Sequence, residues 1–331
     1  MRFDLKQIVT DFSVIRRGYL VRDGYVFTSW RDRPKVYDVL VIKHPNNARG
    51  NTRMYPNASH SLEEHIRLIR EENIERALII ADDISFITEC SSVKMISVFP
   101  ADSTENGFDY SPLYTVPEIK KLSCHTIYGE KEEKLCSIDY SKISGLINLA
   151  VCEKGHLNYD CLDTLENFWV SNIKNCDDLY QISRSRELKK LTILQCGIKS
   201  LDGIEQYQKL QSLDLSYNRS LRDISMLGKV SESLRLLHIE ACAKIADFSC
   251  LYDLTNLEHL TLNGSNKLPN LEFLKGMTKL KTFTFSMEVI DGDLSPCLQI
   301  PYVSCGKNKK WYTLKDKDMP KQIPTEPFRI I

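Results

Sequence analysis

The 331-residue chain has no long apolar run, no net charge and no closely spaced pair of metal ligands. No stretch approaches the ~18–20 consecutive apolar residues that a membrane-crossing helix needs, so no membrane span or membrane partner is expected. Basic and acidic residues number 44 each, so whole-chain charge neither favours nor disfavours nucleic acid. The opening Met1-Arg-Phe-Asp-Leu-Lys is charged and has no apolar segment behind it. No secretory leader is therefore expected, and the expected location is cytoplasmic. There is no Cys-x-x-Cys and no His-x-x-x-His. Cys90, Cys124, Cys152 and Cys161 are too scattered for a zinc knuckle, and His60 and His65, five apart, do not share a helical face. Neither a metal site nor a cofactor is expected. Eleven cysteines, an odd count without a leader, point to reduced thiols rather than a disulfide framework. Three glycosylation sequons, at Asn57, Asn218 and Asn263, carry no weight without export.

What the chain does have is a beat. Leu188-Lys-Lys-Leu191-Thr-Ile193-Leu-Gln-Cys196 opens one unit, and Leu210-Gln-Ser-Leu213-Asp-Leu215-Ser-Tyr-Asn218 opens the next. Leu234-Arg-Leu-Leu237-His-Ile239-Glu-Ala-Cys242, Leu257-Glu-His-Leu260-Thr-Leu262-Asn-Gly-Ser265 and Leu280-Lys-Thr-Phe283-Thr-Phe285-Ser-Met-Glu288 follow. The starts at 188, 210, 234, 257 and 280 step by 22, 24, 23 and 23 residues. The first, fourth and sixth residues of each unit point inward, and each short strand stacks on its neighbour. The ninth turns under the strand, where a small polar side chain can satisfy backbone groups that the ladder leaves over. Cys196, Asn218, Cys242 and Ser265 suit that place; Glu288 does not. After the strand, Ile198, Leu201, Ile204 and Leu210 recur at helical or 3₁₀-like spacing and fill the other side. No unit can bury its apolar residues alone, so the units must stack.

This L-x-x-L-x-L-x-x-N pattern, with Ile198-x-x-Leu201-x-x-Ile204 behind it, resembles the short, 22-residue class of leucine-rich repeats, which includes the internalins and the phosphatase-regulating leucine-rich proteins. The resemblance covers roughly residues 74–305. It implies an α/β solenoid, a curved leucine-rich repeat horseshoe whose parallel concave sheet binds another protein. It carries over no catalytic residue, because the pattern holds none.

Earlier units are degenerate. Ile74-Glu-Arg-Ala77-Leu-Ile79, Val93-Lys-Met-Ile96-Ser-Val98, Ile119-Lys-Lys-Leu122-Ser-Cys124, Leu146-Ile-Asn-Leu149-Ala-Val151 and Leu165-Glu-Asn-Phe168-Trp-Val170 make about ten in all. From 74 to 188 the starts step by 19, 26, 27, 19 and 23 residues, which predicts insertions at 102–116 and 128–141. Residues 1–73 do not follow the beat and read as a small N-terminal α+β cap. Tyr19 to Arg22, the turn Asp23-Gly24 and Tyr25 to Thr28 read as a hairpin with a two-residue I′ turn. Val36 to Ile42 reads as a third strand. Ser61-Leu-Glu-Glu64 is a capping box that opens a helix from Leu62 to about Glu72, with Leu62, Ile66 and Ile69 on one face. Residues 306–331 read as a C-terminal cap and tail, with Trp311-Tyr312 packed on the last repeat.

Between Val14 and Arg53 stand nine Lys or Arg against three Asp. Arg31, Arg33, Lys35, Lys43, Arg49 and Arg53, with Trp30 and Tyr55 nearby, support an alternative in which the solenoid presents a basic module to nucleic acid or phosphate groups. Nucleic acid is not the expected partner, because solvated faces explain such charge runs as well.

Side chains alternate along a strand, so the third, fifth and seventh positions of each unit face the concave surface and are free of the core. That places Asn167, Trp169, Thr192, Asp214, His238, Glu240, His259 and Thr261 there, with Tyr217 one step further. An exposed Trp169 in mid-sheet is costly unless a partner covers it; packing on a neighbouring ring is the structural alternative. Asp214, His238, Glu240 and His259 lie on adjacent strands, within ~5–10 Å of one another at a strand spacing near ~4.8 Å. An open sheet desolvates them little and offers no nucleophile, so they read as a polar binding patch rather than an acid–base site. The expected function is non-catalytic binding of a protein, as scaffold, regulator or immunity-type inhibitor, with no small-molecule substrate.

Overall fold

The computed structural model describes residues 14–30, 36–44, 55–56, 59–101, 108–124, 137–152 and 155–324, the side chains of 14–18 and of Trp30 excepted. It divides into two compact units, Thr10–Leu165 and Glu166–Ile331.

The second unit shows the beat directly. Strands β10 (Asn167–Ser171), β11 (Lys190–Leu194), β12 (Ser212–Ser216), β13 (Leu236–Glu240), β14 (His259–Asn263), β16 (Thr282–Phe285) and β18 (Tyr302–Cys305) pair in parallel, each with the next. Leu191, Leu213, Leu237, Leu260 and Phe283 fall in register, as do Ile193, Leu215, Ile239, Leu262 and Phe285. All ten are at most 1 % exposed. Short strands β15 (Lys267–Leu268) and β17 (Glu288–Val289) form a separate parallel pair.

In the first unit, β1 (Val14–Arg22) and β2 (Tyr25–Trp30) form an antiparallel hairpin. Its turn residues Asp23 and Gly24 have φ of 51° and 80°, the doubly left-handed signature of a I′ turn. β3 (Val39–His44) pairs antiparallel with β2 but parallel with β4 (Arg76–Ala81). The parallel ladder therefore starts one strand before Ile74. The helix α1 (Leu62–Glu71) is the crossover that parallel strands require. Its capping box is fully made: Ser61 Oγ accepts from the Glu64 N–H, and Glu64 Oε2 accepts from the Ser61 N–H. The buried face centres on His65 and Ile69, with Leu62 and Ile66 only half-buried. The ladder continues in parallel through β5 (Met95–Pro100) and β6 (Lys121–Cys124) to β8 (Asn148–Cys152). A two-residue pair, β7 (Ile138–Asp139) with β9 (His156–Leu157), lies beside it in sequence. Of the two expected insertions, residues 102–107 and 128–136 lie outside the described residues; 108–116 of the first is described and holds a 3₁₀ turn at Ser111–Thr115.

The returns between repeat strands are 3₁₀ turns, and six of them begin with one motif: Asp, a buried apolar residue, Ser. These are Asp83-Ile-Ser85, Asp109-Tyr-Ser111, Asp139-Tyr-Ser141, Asp223-Ile-Ser225, Asp247-Phe-Ser249 and Asp293-Leu-Ser295. In each, the carboxylate accepts the Ser N–H two residues on, at 2.8–3.1 Å. The middle residues are Ile84, Tyr110, Tyr140, Ile224, Phe248 and Leu294, and all are core. The carboxylate satisfies a donor that a 3₁₀ start leaves over, while the apolar residue anchors the turn.

The ninth position behaves as its chemistry suggests in three repeats. Asn218 is fully buried; its Oδ1 accepts from the Cys196 N–H at 2.8 Å and its Nδ2 donates to the Ile193 carbonyl at 2.8 Å. The Cys196 and Cys242 thiols donate to the carbonyls of Leu194 and Leu215, at 3.5 and 3.3 Å. Ser265 departs from the expectation: it is exposed, and Asn266 fills the place, donating to the Cys242 and Ile245 carbonyls at 3.1 and 2.7 Å. Gly264 (φ 155°) widens that turn by one residue. Tyr312 packs as expected, with its hydroxyl accepting from the Val289 N–H at 2.8 Å, but Trp311 is exposed.

Candidate functional site

Register brings the predicted residues together. Across β10 to β14, Trp169, Thr192, Asp214, His238 and Thr261 occupy one row. Asn167 and His259 fall in the row before it, Glu240 in the row after it. Tyr217 follows β12 directly, at φ 58°, one of a file of left-handed residues at successive strand ends: Asn172, Gln195, Tyr217 and Ala241. Each of these four donates its N–H to the next strand, at 2.7–2.9 Å.

The environment of the row differs from expectation. Thr192, Asp214, His238, His259 and Thr261 are all buried, and Trp169 is half-buried rather than exposed. Thr192, Asp214, His238, His259 and Thr261 are each flanked on both sides by register neighbours ~4.8 Å away, and polar pairs tie the rows together. Ser216 Oγ donates to Asp214 Oδ1 at 2.5 Å. His259 Nδ1 lies 2.8 Å from Thr282 Oγ1. Desolvation is therefore strong here, not weak. Burial pushes the His259 imidazole down to about 4, so it stays neutral at physiological pH and cannot act as an acid.

One chain of contacts reaches the surface. His238 Nε2 lies 3.2 Å from Glu240 Oε2, and Glu240 Oε1 accepts from the Tyr217 hydroxyl at 2.7 Å. Tyr217 is 37 % exposed and Glu240 is half-buried. Three buried polar atoms in the adjoining row have no partner: Thr192 Oγ1, His238 Nδ1 and Thr261 Oγ1. The Nε2 contact with a carboxylate favours the Nε2–H tautomer, which leaves Nδ1 as an acceptor. The cluster thus offers an aromatic rim, a carboxylate behind it and uncommitted hydrogen-bonding atoms beneath.

Of the residues of the basic alternative, Lys43 and Tyr55 can be placed. Lys43 is buried, with its Nζ donating to the Tyr55 carbonyl at 2.9 Å, and burial lowers its pKa. Tyr55 is core as well. Arg31, Arg33, Lys35, Arg49 and Arg53 lie outside the described residues, as does the Trp30 side chain. Among the described residues no group of His, Cys, Asp and Glu is placed to hold a metal, and no helix is long and apolar enough to cross a membrane.

Sequence reasoning missed two features. His65 takes the centre of the α1 face because the helix turns its 65/69 stripe inward. The Asp–apolar–Ser motif was available at six positions, but its steps are set by insertions rather than by the strand beat.

No family model matches the chain, and no curated protein matches it in sequence. Solved structures do match. An internalin, InlF of Listeria monocytogenes, superposes with a TM-score of 0.56 at 17 % identity, over 82 % of this chain and 81 % of that one. The functional domain of InlJ from the same species, described as including a cysteine ladder, gives a TM-score of 0.41 at 15 % identity, over 68 % of this chain and 64 % of that one. The InlF match and the parallel stack of in-register leucines give the same answer. By fold, the chain is a leucine-rich repeat protein.

Proposed function

We propose that this solenoid binds another protein, without catalysis, on the concave side of the repeats in Glu166–Ile331, with Tyr217 and Glu240 at the point of contact. The observation that carries this reading is the hydrogen-bonded chain Tyr217–Glu240–His238, exposed at one end and anchored among buried polar residues at the other. A tyrosine at the mouth of a polar cluster suits a binding hot spot: the ring supplies contact area, and its hydroxyl is already oriented. Asn167, Trp169, Thr192, His259 and Thr261 form its supporting rows. Catalysis is disfavoured because burial makes His259 a weak base and His238 is engaged by Glu240.

Site-specific photo-crosslinking tests the reading. A benzophenone amino acid at position 217 is expected to give a discrete protein adduct in the native cell extract, and the same group at Tyr252, exposed on a 3₁₀ return, is not. Equal adducts from both positions, or adducts from Tyr252 alone, would move the interface off the proposed face.

A further inference from the structure

A second cluster, in Thr10–Leu165, is separate from the proposed binding face. Four rings meet where α1 begins. Tyr25 of β2 stacks on His60 with centroids 3.9 Å apart and planes 12° from parallel. His65 stands edge-on to Tyr25 at 5.2 Å and edge-on to His44, the last residue of β3, at 5.3 Å. His60 and His65 are 6.4 Å apart. Three imidazoles thus share one nest between a hairpin, a parallel strand and the first turn of a helix.

Hydrogen bonds fix the protonation states that this packing needs. His65 Nδ1 is 2.9 Å from the Ser61 carbonyl, so it carries the hydrogen. His60 Nε2 is 2.8 Å from the Asp23 carbonyl and donates likewise. His44 Nε2 is buried and has no partner, so a proton added there would have no acceptor. His65 is 2 % exposed and lies one turn into α1, whose N-terminal end carries partial positive charge. Among the described residues, the charged groups that face the nest are Glu63 and Glu64. Glu63 faces His44; Glu64 faces His60, with Oε2 3.4 Å from Nδ1, and also favours charge on His65. Glu64 already serves as the capping-box acceptor of the Ser61 N–H at 2.7 Å. The other end of the helix is tied by the ion pairs Arg22–Glu72 and Arg70–Glu89, both at 2.6 Å.

We propose that Tyr25, His44, His60 and His65 form an acid-sensitive latch, which holds the first turns of α1 against the hairpin and β3 and releases them as the two desolvated rings, His44 and His65, take up protons in mild acid. The sign follows from burial. Desolvation lowers the pKa of both His44 and His65, and charge on His44 or His60 further opposes charge on His65. Groups with a folded pKa below the unfolded value stabilise the fold fully above the unfolded value, and that contribution falls as pH drops. Protonation puts like charges about 5 Å apart in a desolvated site at the positive end of a helix. The ion pairs at the far end stay intact, so opening is local to the first turns. The strands of Glu166–Ile331 are not part of it.

Hydrogen exchange of the full chain at pH 7.5 and 5.5, corrected for intrinsic rates, tests the latch. Amides of residues 62–69 are expected to lose at least tenfold protection at pH 5.5, while those of β12 and β13 change less than threefold. His44→Phe, which keeps a ring and removes the titration, is expected to reduce the α1 response severalfold. Should that variant fail to fold, imidazole ¹⁵N titration of the unaltered protein decides: His44 and His65 are expected to titrate below 6.5, in step with α1 amide shifts. Unchanged α1 protection at pH 5.5, an unaltered response in His44→Phe, or titration of both rings at or above 6.5 would overturn the latch.

Discussion

The two units solve one problem with different regularity. In Glu166–Ile331 the strands from β10 to β16 return every 22 to 24 residues, and the sixth-position residues from Ile193 to Phe285 stack without a break. In Thr10–Leu165 the steps run from 19 to 27 residues, an α-helix replaces one 3₁₀ return, and antiparallel strands open the sheet. Yet strands β4, β5, β6 and β8 keep the same parallel register, and the Asp–apolar–Ser turn occurs three times in each unit. What a repeat must preserve is the inward leucine row and a capped turn behind it. The length between them is free to vary, because loop closure costs grow slowly with length.

Core truncation probes that equivalence with the largest effect. Leu213→Ala in the regular unit and Leu122→Ala in the irregular one remove fully buried side chains. Each is expected to cost about 2–5 kcal/mol in chemical denaturation. A cost below about 1 kcal/mol for Leu122→Ala alone would show that the irregular unit is held by something other than its leucine row.

Acid comes next. His259 in one unit and His156 in the other are both pushed down to about 4 by burial. Their contribution is complete above the unfolded value near 6.5 and is lost as pH falls towards 4, on the order of 2–3 kcal/mol each. His259→Gln and His156→Gln should each flatten the fall in melting temperature between pH 6.5 and 4.5. An unchanged slope in one variant would assign the acid response to the other unit.

The ninth position sharpens the comparison within the regular unit. Asn218→Ala strands the Cys196 N–H and the Ile193 carbonyl, and should cost about 1–3 kcal/mol. Ser265→Ala, at the same nominal place but exposed, should stay within about 0.5 kcal/mol. The smallest effect has the opposite sign. Ala241 sits at φ 54°, so Ala241→Gly should stabilise by about 0.5–1 kcal/mol in thermal unfolding. A loss of stability there would show that Ala241's methyl group packs more than its backbone strains.

The inward rows, the parallel stack, the I′ hairpin and the helix with its capping box were all legible, because each follows from residue spacing or turn chemistry alone. The place of Asn266 was not, because an added turn residue at Gly264 moves the filler from ninth to tenth without disturbing the leucines. Alternation assigns Thr192, Asp214, His238 and Thr261 to one face. It says nothing about how closely neighbouring strands crowd that face, so their burial and the half-burial of Trp169 emerged only in three dimensions. The Tyr217–Glu240 contact joins residues 23 apart in sequence, and it needed both the register and the left-handed turn after β12. Spacing shows only that His60 and His65 do not share a helical face; the fold alone brings Tyr25 and His44 to them.

The most direct test of the proposed interface is the affinity of the crosslinked partner for Tyr217→Ala/Glu240→Ala, measured against Tyr252→Ala by titration calorimetry. The double variant should weaken binding at least 100-fold, about 2.7 kcal/mol, with its melting temperature within a few degrees of the parent, while Tyr252→Ala binds as the parent does. Parent-like affinity in the double variant would contradict a binding face built on Tyr217 and Glu240.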